Sequence, residues 1–296
     1  MSKANKYHYV PQFYLRQFSC SDDANKVSAF SLNKPFIIKG QKAIEGIAYE
    51  DKLYSISNED LELCIEDEIN RRIETPITQS ETWNKIRNNQ PEFIGESDKL
   101  TLYLFIRHIE SRNVELLQFI RRENKRIKDP KYLAEYSESE RKMHSYIDST
   151  KSGSERYFLE MTYDIRRFLR DYKRATITII ESRIPIRTST NPVVVLPDHM
   201  TYREGPYNAT ARWLPLSKRF GAILYMSDAR CDFYESGMVE DDVIRALNRL
   251  YIVQLLKAET VRHMIANDEH ISDDFAWAGI ENVPGNPRKF KVQHRA

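Results

Sequence analysis

The chain has 296 residues, 41% hydrophobic and 30% charged, with a formal net charge of +2. That is enough apolar sequence for a sizeable core, and the near-balance of charge means that any basic surface has to be local. Nine glycines, with no G-x-G-x-x-G and no G-x-x-x-x-G-K-[ST], argue against a nucleotide fold built on glycine-rich turns. Cys20, Cys64 and Cys231 are odd in number and widely spaced, which fits reduced thiols and neither a disulfide framework nor a zinc site. The longest apolar runs fall far short of the roughly 20 residues that cross a bilayer, and no apolar leader opens the chain, so the expected location is the cytoplasm with no membrane partner.

In chain order, the first dense stretch is His8 to Phe18. Pro11 suits the first turn of a helix, on which His8, Gln12 and Arg16 recur at i, i+4 and i+8 and line one face. Tyr14, Leu15 and Phe18 then face a core. Val27 to Leu32 and Phe36 to Ile38 read as short strands around Asn33-Lys34-Pro35, with a further strand ending at Leu53-Tyr54-Ser55. Leu61, Ile65, Ile69 and Ile73 predict a helix from Glu59 to Pro76. Another helix is predicted over 78–89 and a long one over Glu96 to Lys128, with His108, Arg112 and Glu115 on one face. Residues 130–154 read as a flexible insertion, and a basic helix resumes over Glu155 to Arg174. The second half turns to strands: Ala175 to Ile180 alternates like a half-buried strand, and Ile184 to Thr188, Val193 to Leu196, Ala211 to Leu216 and Gly221 to Met226 follow at close spacing with prolines at their ends. An amphipathic helix over Val239 to Met264 and a loose basic tail from Asn282 complete the chain. The expected fold is α+β and predominantly helical, with a small N-terminal β patch and a mostly antiparallel sheet in the second half. Residues 1–281 are expected to form one domain.

The run His8-Tyr9-Val10-Pro11-Gln12-Phe13-Tyr14-Leu15-Arg16-Gln17-Phe18 resembles the opening signature of domain-of-unknown-function family 4238, a set of mostly bacterial proteins. Thr188-Ser189-Thr190-Asn191-Pro192-Val193 is similar to that family's Thr-Ser-Asp-Asn-Pro-Val segment, with Thr190 where the family has Asp. Trp213-Leu214-Pro215-Leu216-Ser217 is similar to its Pro-Leu-Ser strand, and Asn248 falls where a late helix tends to carry Asn. The likeness implies a shared fold over about residues 6 to 265 and an Arg near Arg112, and it implies no reaction.

The candidate catalytic residues are His8, Arg16, Arg112 and Asn191; Gln12, Tyr14, His108 and Asn248 are candidate binding residues. An imidazole, a carboxamide and guanidinium groups form an anion or base-edge reader if they share one pocket. No metal ligand set is legible, although acids such as Glu50, Asp51, Glu66 and Glu74 leave a carboxylate-bound Mg²⁺ or Mn²⁺ open. Two readings follow. One is a phosphodiester hydrolase, nuclease-like and akin to effectors of phage defence or toxin systems, with His8 as acid or base and the arginines on phosphate. The other is a non-catalytic module that binds a nucleotide, RNA or a protein. Both basic helices, Arg121 to Lys128 and Arg166 to Arg174, suit nucleic acid if they are not simply solvated.

Overall fold

The computed structural model describes residues 6–51, 53, 55–58, 61–64, 66–126, 128–148, 165–196, 210–226, 236–257 and 262–293. Strand β1 (Lys6–His8) leads through Pro11 into one helical turn, α1 (Gln12–Leu15), which continues as a 3-10 turn over Arg16–Phe18. The expected helix is thus short, and His8 sits on a strand ahead of it. β2 (Lys26–Asn33) and β3 (Phe36–Ala43) form the expected hairpin, and β4 (Tyr49–Asp51) returns to pair antiparallel with β1.

The predicted helix from Glu59 is corrected. β5 (Ser55–Asn58) and β6 (Leu61–Cys64) pair as a hairpin, and helix begins only at α2 (Glu66–Ile69). Leu-Glu-Leu-Cys alternates as well as it spirals, and a short apolar run does not separate the two periods. A π-type turn over Asn70–Glu74 joins α2 to α3 (Thr75–Thr78), and α4 (Glu81–Arg87) follows, its first turn capped by the Ser80 hydroxyl, which accepts from Trp83 N–H at 3.1 Å. The long helix predicted over 96–128 breaks at Arg112–Asn113 into α5 (Lys99–Ser111) and α6 (Val114–Arg126).

In the predicted insertion, residues 138–148 form α7 (Glu138–Asp148), and Tyr136 is buried with its hydroxyl donating to Glu123 Oε2 at 2.6 Å. Residues 149–154, and the start of the basic helix predicted from Glu155, lie outside the described residues; α8 (Ile165–Asp171) is its described part.

The remaining elements are β7 (Ala175–Glu181), β8 (Thr188–Ser189), β9 (Val194–Val195), β10 (Thr210–Pro215), β11 (Phe220–Met226), β12 (Gly237–Met238), α9 (Asp241–Lys257), β13 (Met264–Ile265), α10 (Ile271–Trp277), β14 (Ile280–Val283) and β15 (Asn286–Val292). The tail predicted to be loose is therefore a hairpin through residue 292. Gly285, at φ +74°, turns the chain after Pro284, and Phe290 is buried opposite Ile37. Its charged residues alternate with apolar ones, and that alternation is the strand signal that a reading of net composition misses.

Among the described residues, six strands form one sheet in the order β14-β15-β3-β2-β13-β8, and five form another in the order β12-β7-β11-β10-β9. Every pairing is antiparallel except β12 with β7. The fold is α+β, and these sheets are too large for it to be predominantly helical.

The five-stranded sheet is covered on both faces. Leu214, Ala222 and Leu224 belong to a core shared with Tyr14, Phe18, Trp83 and Phe105, whereas Trp213, Ile223 and Tyr225 belong to a second core with Leu247, Tyr251 and Phe275. The two-residue side-chain period of a strand divides them. Gly221 is required where it stands, because Trp213 leaves no room beside it for a Cβ. No described helix is long and apolar enough to cross a membrane.

Candidate functional site

The break between α5 and α6 places a buried ionic centre behind the N-terminal signature. Arg112 closes α5, its N–H still donating to His108 O at 3.1 Å, and its side chain is completely buried. One guanidinium nitrogen, Nη1, pairs with Glu74 Oε1 and lies 3.2 Å from His108 Nε2. The other, Nη2, donates to the carbonyl of His8 and stands 3.5 Å from Glu66 Oε2.

The helical irregularity makes this possible. An α-helix turns about 100° per residue, so eight regular residues would leave Glu66 and Glu74 roughly 80° apart. The π-type turn at Asn70–Glu74 rotates less per residue and brings both carboxylates to one guanidinium.

Electrostatics follow from burial. Desolvation raises the Glu66 carboxyl above the usual carboxylate range, with Arg112 opposing it. The His108 imidazole, fully buried, is pushed down from 6.5 to about 3, so it stays neutral and accepts from Arg112 through Nε2. Because its folded pKa is depressed, the unfolded chain binds the proton first as the pH falls. The stability owed to the neutral ring is complete above about pH 6.5 and is lost on the way down to about pH 3. His263, lowered by burial to about 4, has the same sign; Glu66, raised, has the opposite one. We expect the urea midpoint to fall between about pH 6.5 and about pH 4, and His108→Gln to flatten that fall. An unchanged slope in the variant would show that another group carries it.

The sequence candidates separate into three groups. His8 and His108 meet at Arg112, His8 through its carbonyl. Asn191 stands beside this centre: its Oδ1 accepts from Asn113 Nδ2 at 2.6 Å, one residue past Arg112. Tyr14, buried, hydrogen-bonds Thr188 Oγ1 at 2.7 Å, so the signature is tied to the Thr188–Asn191 segment directly. Gln12 donates to His8 Nε2 at 2.9 Å and accepts from Arg16 at 3.4 Å, but Arg16 itself is exposed, on the solvent side of that relay. Arg16 is therefore apart from Arg112, because the single turn of α1 points it outward. Asn248 is also apart: on α9 it accepts from Arg187 N–H at 2.8 Å and donates to Pro185 O at 3.0 Å, fastening an irregular segment.

Thr190, standing where the family pattern has Asp, accepts the N–H groups of Arg262 and His263 at 3.1 and 3.2 Å through Oγ1. That is a backbone-bracing role that needs an acceptor and no charge.

Sequence reasoning missed a second buried network. Arg187 is bidentate to Asp268 at 2.8 Å for both contacts and reaches Asp274 Oδ2 at 2.8 Å, while Asp274 Oδ1 accepts from Arg249 at 2.9 Å. Partners 81 residues apart leave no spacing signal. Glu66 and Glu74 were legible only as two acids among many.

An apolar cavity of about 120 Å³ lies beside His108, lined by Ile73, Pro76, Ile77, Leu104 and Phe168. It adds no polar pocket to the ionic centre. Among the described residues, no group of three or more His, Cys, Asp or Glu side chains is arranged to hold a metal ion.

The outer face of α6 is different. Between Gln118 and Tyr132 the chain carries six cations against two acids, although the whole protein carries only +2. Arg121, Arg122, Lys125 and Lys128 line a shallow groove of about 450 Å³ with Gln118 and Asn124.

Fold and centre together define a mixed α+β protein in which an internal arginine joins the N-terminal signature to α2 and the π-type turn, while the neighbouring Asn113 reaches the turn after β8. The chain belongs to the family described as proteins of unknown function (DUF4238), which it matches over residues 6–269. No curated protein and no solved structure matches it.

Proposed function

We propose that the protein is a non-catalytic nucleic-acid-binding module whose contact surface is the outer face of α6. The observation that carries this reading is the concentration of exposed Arg121, Arg122 and Lys125 on α6, with exposed Lys128 just past its end, in a nearly neutral chain. A local basic stripe of this kind attracts phosphates and releases their counterions, independently of base sequence.

Phosphodiester hydrolysis by His8, Arg16, Arg112 and Asn191 is the weaker reading. The Arg112 guanidinium is occupied by Glu66, Glu74, His108 and the His8 carbonyl, so a phosphate would have to displace an internal ion pair. Arg16 lies outside that centre.

The test is binding of a labelled oligonucleotide as a function of salt. With about four phosphate contacts, affinity falls by about two orders of magnitude between about 50 and about 200 mM salt. Arg122→Glu and Lys125→Glu weaken binding, and each lowers the salt slope by about 1. Binding that is absent at low salt, or indifferent to both substitutions, contradicts the proposal.

A further inference from the structure

We infer that the α6 face takes a single strand, with a base stacked on the ring of Phe119; this rests on the nucleic-acid reading above and names its ligand class. Phe119 is 49% exposed, an unusual position for a phenyl ring on a helix otherwise covered by charge. Arg122, one turn on, holds its guanidinium 5.7 Å from the ring centroid. Past the end of the helix, the ring of Tyr132 has Arg126 at 4.6 Å and Lys131 at 5.3 Å from its centroid. Phe119, Arg122 and Arg126 stand at i, i+3 and i+7 on α6, so a phenyl ring and two cations share one face of the helix.

That mixture discriminates between forms of nucleic acid. In a duplex the base faces are occupied by their neighbours, so only the cations of α6 would find partners. A single strand offers phosphates to Arg122 and Lys125 and an open π-face to Phe119, and stacking of this kind tolerates any base. Gln118 and Asn124 add hydrogen-bonding groups to the groove that Arg122 and Lys125 line. RNA and DNA single strands share this chemistry. An acidic peptide matches the charge but brings no planar ring to Phe119.

The experiment measures fluorescence anisotropy of the full chain with a single-stranded RNA of about 12 nucleotides, the DNA of the same sequence, its duplex, and poly-glutamate as competitor. We expect a single strand to bind at least about tenfold more tightly than the duplex, and Phe119→Ala to lose about tenfold on the single strand alone. Phe119→Trp should restore it, and because the ring is exposed both variants should fold. A preference for RNA over DNA, or its absence, identifies the source of the strand. Equal affinity for duplex and single strand, an unaltered Phe119→Ala, or displacement by poly-glutamate as effective as by RNA overturns this inference and leaves the electrostatic surface standing. Failure of every polymer to bind at low salt overturns both.

Discussion

Arg112→Met lowers the free energy of unfolding by about 3–5 kcal/mol, read from urea denaturation. Methionine matches much of the volume, so the loss comes from charge. Removing the guanidinium leaves the largely buried carboxylates of Glu66 and Glu74 without their shared cation, and strips the His8 carbonyl of its donor. The same variant carrying Glu66→Gln and Glu74→Gln recovers part of the loss, because neutral amides tolerate burial better than orphaned carboxylates. This separates two roles for the residue. A solvent-facing anion clamp would leave the fold unchanged when truncated and would lose only its ligand. A loss below about 1 kcal/mol would place Arg112 in that second class.

Asp274→Ala produces a loss of similar size, about 3–5 kcal/mol, in the second buried network. Asp274 has no exposed surface and receives both Arg187 and Arg249, so its removal leaves the buried Arg187 with Asp268 alone. Arg249→Met costs less, since that side chain is 29% exposed and rests on Trp277. The hairpin β14–β15 follows α10 directly. Protection of the amide protons of Phe290 and Val292 in hydrogen exchange should therefore fall with Asp274→Ala and hold with Arg249→Met. Equal protection in both variants would mean that the network does not anchor the C-terminal hairpin.

Local pattern carried the reading wherever one period dominated. Ala175 to Ile180 alternates and Gly221 to Met226 is a short apolar run, and each became a strand within a residue or two of its predicted ends. The amphipathic stretch predicted over Val239 to Met264 became a helix over Asp241–Lys257, with Met264 itself on β13. Tyr14 and Phe18 were assigned to the core on their spacing, and both are buried there. The reading failed where two periods fit equally, as at Leu61 to Cys64, or where a break was imposed from outside, as at Arg112–Asn113. Nothing within 96–128 marks that break as strongly as a proline would. It coincides with Arg112 turning inward to two acids and with Asn113 reaching Asn191, contacts that are remote in sequence.

By itself, then, the sequence determined the class of fold, most of the elements and membership of a family, because hydrophobic periodicity and turn residues act over a few neighbours. It also marked the basic run at Arg121 to Lys128. Only the tertiary structure decided which charges are internal. Arg16 and Arg112 look alike as letters, yet one is exposed and the other is enclosed by acids, an imidazole and a carbonyl. The reason is that burying a charge costs several kcal/mol unless partners surround it, and those partners arrive from β1, α2 and the π-type turn only once the chain has folded.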